Sequence, residues 1–200
     1  TLLIAGCGTG IDAHYLKKDY SPGKMCLSDI KLEALDKPRS HFQNENYICA
    51  DNRRLPFKDE SFDYVYVAGS LHHLQQPYLG LYELLRVAGH GLLVVEPHDS
   101  RLTRLFEQLG WAQRYEPAHG NYVFRFNKRD VEKTCRALFL KFDAVRFFAT
   151  HRVARSTFGF IGLKILNGLA NTFHPSSGNT IAFLIEKNKI VPPELAARRK

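Results

Sequence analysis

Two hundred residues suffice for one domain with a single buried core, and an apolar share of 44% is that of an ordinary globular chain. No run approaches the roughly 18 uncharged apolar residues of a membrane-spanning helix. A net charge of +8 suits an anionic partner, but the basic residues are spread out and cluster only in the tail Arg198-Arg199-Lys200, so nucleic acid is not indicated.

The opening residues show no basic segment followed by an apolar stretch and a small-residue cleavage site, so no secretory signal is expected. Cys7, Cys26, Cys49 and Cys135 show no metal-ligand spacing, and three of them lie in or beside apolar runs. They read as reduced small hydrophobes in a cytoplasmic protein, with neither disulfide nor metal site expected. Peripheral contact with lipid stays open, and nothing in the sequence sets the oligomeric state.

In chain order, short apolar runs predict strands over Leu2–Ala5, Lys24–Ser28, Tyr47–Ala50, Phe62–Ala68 and Gly91–Glu96. Two more follow at Phe142–Ala149 and Thr180–Lys187. Helical patterns lie between them at Ile11–Lys18, Lys31–Lys37, Tyr78–Val87 and Lys128–Phe139. The last carries Val131, Cys135, Leu138 and Phe139 on one side, an apolar stripe. Such alternation predicts an α/β domain with a mostly parallel sheet and helices on its faces.

Two stretches break the pattern: Pro97–Phe126, rich in aromatic residues, and Ala154–Asn179, with the apolar segment Phe158–Leu169. Both follow strands of the second half of the sheet, where loops at strand C-termini line the ligand crevice. They are either core-capping helices or a substrate-binding cap.

Ala5-Gly6-Cys7-Gly8-Thr9-Gly10 joins the first strand to the first helix. Glycines let the backbone bend sharply and let a ligand approach where a Cβ would collide. The helix N-terminus behind them suits a carboxylate or phosphate. Asp29 ends the second strand at about the distance from this turn where a ribose-binding carboxylate belongs, or it caps the helix that follows. Asp51 ends the third strand, and Leu55-Pro56-Phe57 and Ser61-Phe62-Asp63 follow it.

That combination resembles the class I S-adenosylmethionine-dependent methyltransferases, especially the subgroup that includes quinone-biosynthesis methyltransferases. The likeness covers roughly the first half of the chain. It implies a Rossmann-like, mostly parallel seven-stranded sheet with an antiparallel last strand and helices on both faces. It also implies S-adenosyl-L-methionine as cofactor, and methyl transfer by in-line attack to a small molecule. The aromatic residues of the first unusual stretch and the apolar segment of the second suggest that this acceptor is hydrophobic. By the same resemblance Gly6, Cys7, Gly8 and Gly10 hold the methionine end, Asp29 the ribose and Asp51 the adenine amino group. Ile30 and Asn52 flank the adenine, and Ala68 and Gly69 lie in the turn beneath the cofactor.

His72 and His73 follow the fourth strand near the expected methyl position and are the candidate general bases, for an acceptor that starts protonated. Glu96 is an outside candidate for the same task. His151-Arg152 and Arg155 would suit an acidic group on the substrate.

Two departures from the family stand out. Ala88-Gly89-His90-Gly91 replaces a Lys-Pro-Gly-Gly turn, and the helical segment that in relatives precedes the first strand is not in this sequence. The chain therefore reads as one domain over residues 1–200 that lacks its N-terminal helical segment. Two competing readings remain: an NAD-dependent oxidoreductase, which the narrow spacing of Gly8 and Gly10 disfavours, and a non-catalytic partner protein that binds the same cofactor.

Overall fold

The computed structural model describes residues 1–110, 112–117, 119–147 and 178–187. Nine strands and five α-helices lie in them. The strands are β1 (Leu2–Ala5), β2 (Met25–Asp29), β3 (Asn46–Cys49), β4 (Phe62–Ala68), β5 (Ala88–Pro97), β6 (Tyr115–Glu116), β7 (Asn121–Tyr122), β8 (Lys141–Phe147) and β9 (Thr180–Glu186). The helices are α1 (Ile11–Tyr20), α2 (Asp36–His41), α3 (Pro77–Val87), α4 (Arg101–Gln108) and α5 (Lys128–Ala137), with single 3-10 turns at Leu32–Leu35 and Leu71–His73.

Seven strands form one sheet in the order β3-β2-β1-β4-β5-β9-β8. The first five pair in parallel, while β9 runs antiparallel to both β5 and β8. The Rossmann-like sheet with an antiparallel last strand is therefore present, and that strand sits inside the sheet rather than at its edge. β1 lies between β2 and β4, so the chain moves outward through β2 and β3 and then returns to the other side. Such a reversal opens a crevice at the strand C-termini, the usual place for a ligand in an open α/β sheet.

Alternation along β1 shows how both faces are covered. Leu3 and Ala5 join one apolar cluster with Leu81, Leu84 and Leu85 of α3 and Val131 and Cys135 of α5. Ile4, between them, joins a second cluster with Met25, Leu27, Ala13 of α1, Leu35 and Phe42. Side chains one apart on a strand point to opposite faces, so one strand feeds two helical layers. Leu3, Ile4, Leu27, Leu84 and Leu92 are all 0–1% exposed. Burying such a side chain contributes roughly 1.5–3 kcal/mol.

Helix starts follow local chemistry. Pro77 opens α3, where its missing N–H costs nothing. Ser100 and Asn127 cap α4 and α5 by accepting from Thr103 N and Arg129 N.

Three sequence expectations need correction. The helix expected over Lys31–Lys37 is a 3-10 turn followed by α2, which runs to His41. Pro38 sits in the first turn of α2, where proline is tolerated. The turn expected at Ala88-Gly89-His90-Gly91 is strand instead, because β5 begins directly after α3. Finally, α5 ends at Ala137, and Phe139 takes a positive φ of 57° just beyond it.

Pro97–Phe126 holds α4 and the two-stranded ribbon β6-β7. Of the second unusual stretch, residues 154–177 lie outside the described residues, as do His151, Arg152 and Arg155. No helix among the described residues is long and apolar enough to cross a membrane. All four cysteines are free, with Cys7, Cys26 and Cys135 buried and Cys49 exposed.

Candidate functional site

The glycine turn leaves β1 at the point of the crevice. Gly6, Gly8 and Gly10 all take positive φ, at 62°, 49° and 76°. Only glycine adopts that region without a Cβ penalty. Two of the three are also tight: a Cβ on Gly6 would lie 2.1 Å from Ser70 Oγ, and one on Gly10 would lie 2.7 Å from Pro38 Cβ. At Gly8 nothing stands within 4 Å, so its outer side is open to a ligand.

Asp29 holds this turn from the end of β2. Its Oδ2 accepts from Gly8 N at 2.9 Å, and its Oδ1 accepts from Lys31 N at 3.0 Å. Cys7 N donates to Ser28 O at 2.8 Å, so two consecutive amides tie the bend to the neighbouring strand. Asp29 does not cap the next helix: the 3-10 turn begins at Leu32 behind Lys31, which makes no side-chain cap. A carboxylate offers about four acceptor directions, so roughly two remain on Asp29. Ile30, the next residue, is 58% exposed, an apolar side chain beside the bend.

Asp51 follows β3, next to Asp29 in the sheet order; Asp29 pairs with Cys49 and accepts from Ala50 N. Sequence reasoning missed its partner. Arg53 wraps the carboxylate, with Nε 3.1 and 3.0 Å from Oδ1 and Oδ2 and Nη2 2.6 Å from Oδ2, while Arg53 N donates to Oδ1 at 2.8 Å. The hydrogen bonds from Arg53 hold the Asp51 carboxyl below its usual range.

Asn52 is 6% exposed and donates to Ser70 Oγ at 3.1 Å. Its Oδ1 is buried without a hydrogen-bond partner, an acceptor left over at the edge of the turn.

The other wall comes from β4 and the turn after it. Ala68 ends β4, and Gly69, with φ of 58°, donates to Val95 O at 2.9 Å. The turn is then gathered by Glu96, which is 1% exposed. Its Oε1 accepts from Ser70 N at 2.8 Å and Leu71 N at 2.7 Å, and its Oε2 lies 2.7 Å from His72 Nδ1. With Oε1 accepting from two amides, the Oε2 contact uses Nδ1 of the ring and leaves Nε2 facing away from Glu96. Glu96 is thus a positioning residue rather than the outside base candidate that the sequence offered.

His73 stands beside His72, ring centroids 4.0 Å apart. Burial and the neighbouring His72 pull it below the ordinary imidazole value. Its Nδ1 lies 3.0 Å from Glu116 Oε2 and 3.3 Å from Asn121 Oδ1. These partners come from β6 and β7, more than forty positions away, and no sequence signal pointed to them.

A separate groove of about 750 Å³ is lined by Tyr78, Tyr82, Tyr122 and Phe124 with Arg104 and Arg125. None of the glycine-turn residues or the two aspartates line it. Its arginines are engaged, Arg104 with Asp99 and Arg125 with Glu107.

Residues 3–95 match the family model of the methyltransferase domain. A demethylmenaquinone methyltransferase of Clavibacter sepedonicus is 33% identical over 99 residues, covering 46% of this chain and 38% of that protein. The ubiquinone/menaquinone biosynthesis C-methyltransferase UbiE of Neisseria meningitidis is 32% identical over 128 residues, covering 60% and 46%. This chain thus spans less than half the length of these relatives. Among solved structures, YcgJ of Bacillus subtilis superposes with a TM-score of 0.67 over 93% of this chain and 91% of its own, at 16% identity, a likeness of fold. The family match spans residues 3–95, just under half of the chain, and the likeness to solved structures is one of Rossmann-like fold.

Proposed function

We propose that this domain binds S-adenosyl-L-methionine across the C-terminal ends of β1 to β4 and passes its methyl group to a small hydrophobic acceptor. The reading is carried by one observation, the coupling of an open left-handed glycine bend to a carboxylate with unused acceptor directions. In it, Gly6, Gly8 and Gly10 and the Cys7 backbone take the amino-acid end. Asp29 takes the ribose hydroxyls, and Ile30 and Asn52 flank the base. Asp51 meets the adenine amino group, and Ala68 and Gly69 form the floor.

The bound cofactor supplies a methyl group already activated by its sulfonium. The chain's task is then to hold the acceptor in line and keep water out, and such positioning is worth roughly 7–11 kcal/mol in favourable model systems. Where the acceptor starts protonated, His72 and His73 take its proton in this reading, and the contact of Glu96 with His72 Nδ1 supports it by orienting that ring. Residues 97–126 serve in this reading as part of the acceptor's cap. A hydrophobic acceptor fits the quinone-biosynthesis names of the relatives.

Asp29→Ala tests the cofactor half of the reading. Loss of a charge-assisted hydrogen bond, about 1.5–3 kcal/mol, should weaken S-adenosylhomocysteine binding by about 10- to 150-fold in calorimetry. An unchanged affinity in a folded variant would restrict Asp29 to holding Gly8 and Lys31.

A further inference from the structure

His72, His73 and Glu116 each bring one ligand-type atom within 4.8 Å of the other two. The methyl-transfer reading gives no reason for Glu116 to be there. We propose that these three side chains form a binding site for a divalent transition-metal ion. Two imidazoles and one carboxylate are a donor set that suits zinc and its neighbours better than calcium or magnesium.

Two further observations support the site. Glu96 holds His72 by Nδ1, so Nε2 turns toward Glu116, 3.9 Å from its Oε1. A carboxylate behind an imidazole behind an ion is the outer arrangement that metal-ligating histidines use, since it fixes both tautomer and ring orientation. Glu116 Oε2, for its part, is closed off from solvent and receives no well-aligned hydrogen bond, although His73 Nδ1 lies 3.0 Å away. An enclosed carboxylate oxygen without a donor is costly, and a cation removes that cost. His119, whose Nδ1 is 3.7 Å from the same oxygen, stands ready as a fourth donor.

Zinc–ligand bonds of roughly 2.0–2.2 Å put tetrahedral donors about 3.4 Å apart. The cluster's ligand atoms, within 4.8 Å of one another, would need to draw in by side-chain rotation to reach that spacing. An ion there takes the Nε2 lone pair of His72, so metal binding and proton acceptance are alternative roles for that nitrogen.

The test is a zinc titration of the full chain in competition with a chromogenic chelator, repeated with cobalt to read the visible absorption of a tetrahedral site. One equivalent should bind, with affinity falling at least about tenfold in Glu116→Gln and in His73→Gln. Circular dichroism and the denaturation midpoint of the metal-free variants report whether each is folded, and either variant alone decides if the other is not. Nine histidines make adventitious binding the rival explanation. Affinity unchanged in the folded variants, or no binding in competition with the chelator, overturns the proposal. The readout is the metal alone, so its failure leaves the methyl-transfer reading untouched.

Discussion

Glu96→Ala should destabilise the protein by about 3–5 kcal/mol, the range expected when one member of a buried charge and hydrogen-bond network is deleted. Glu96 is 1% exposed and takes three donors, the amides of Ser70 and Leu71 and the ring of His72. Without it those donors stay buried and unpaired, each costing about 1–3 kcal/mol before water enters the gap. Glu96→Gln retains an oxygen for the two amides but offers an NH2 to His72 Nδ1, so it should recover a good part of the loss. Urea denaturation measures both variants. Equal stability of the alanine and glutamine variants would show that the acceptor oxygen toward Ser70 and Leu71 contributes little.

Gly6→Ala should cost about 2–5 kcal/mol and abolish cofactor binding. Part of the cost, about 1–2 kcal/mol, is the left-handed backbone at φ of 62°. The rest, about 1–3 kcal/mol, comes from overlap with Ser70, whose Oγ and Cβ would stand 2.1 and 2.5 Å from the new carbon. The two parts are separable. Combining Gly6→Ala with Ser70→Gly removes the overlap but keeps the backbone penalty, so the double variant should be more stable than the sum of the single effects allows. Strict additivity in the same denaturation experiment would place the strain somewhere other than the Gly6–Ser70 contact.

Both variants probe features that differ in how visible they are in the sequence. The turn was legible because its chemistry is local: glycines after an apolar strand, then a carboxylate at the end of the next. β1 and β4 begin and end where their apolar runs do. Helix α2 was harder, since a proline marks a boundary by default and here sits inside the first turn. In Pro97–Phe126, Ser100 caps α4, and serine is a residue type that favours such a helix start. Asp51 follows β3, but its fork with Arg53 depends on side-chain direction, and spacing does not reveal that. Glu116 and Asn121 reach His73 only because the β6-β7 ribbon folds over the turn after β4, a long-range contact with no periodic trace. The expectation that no metal site is present considered cysteine spacing alone, and the His72-His73-Glu116 cluster is invisible to that test.

The central claim is that the crevice at β1 and β4 is shaped for an adenosyl sulfonium and not for a dinucleotide. Calorimetric titration of one preparation with S-adenosylhomocysteine and, separately, with NADH tests it most directly. Saturable one-to-one binding of the first and no measurable heat from the second is the predicted result, and NADH binding with no response to S-adenosylhomocysteine would contradict it.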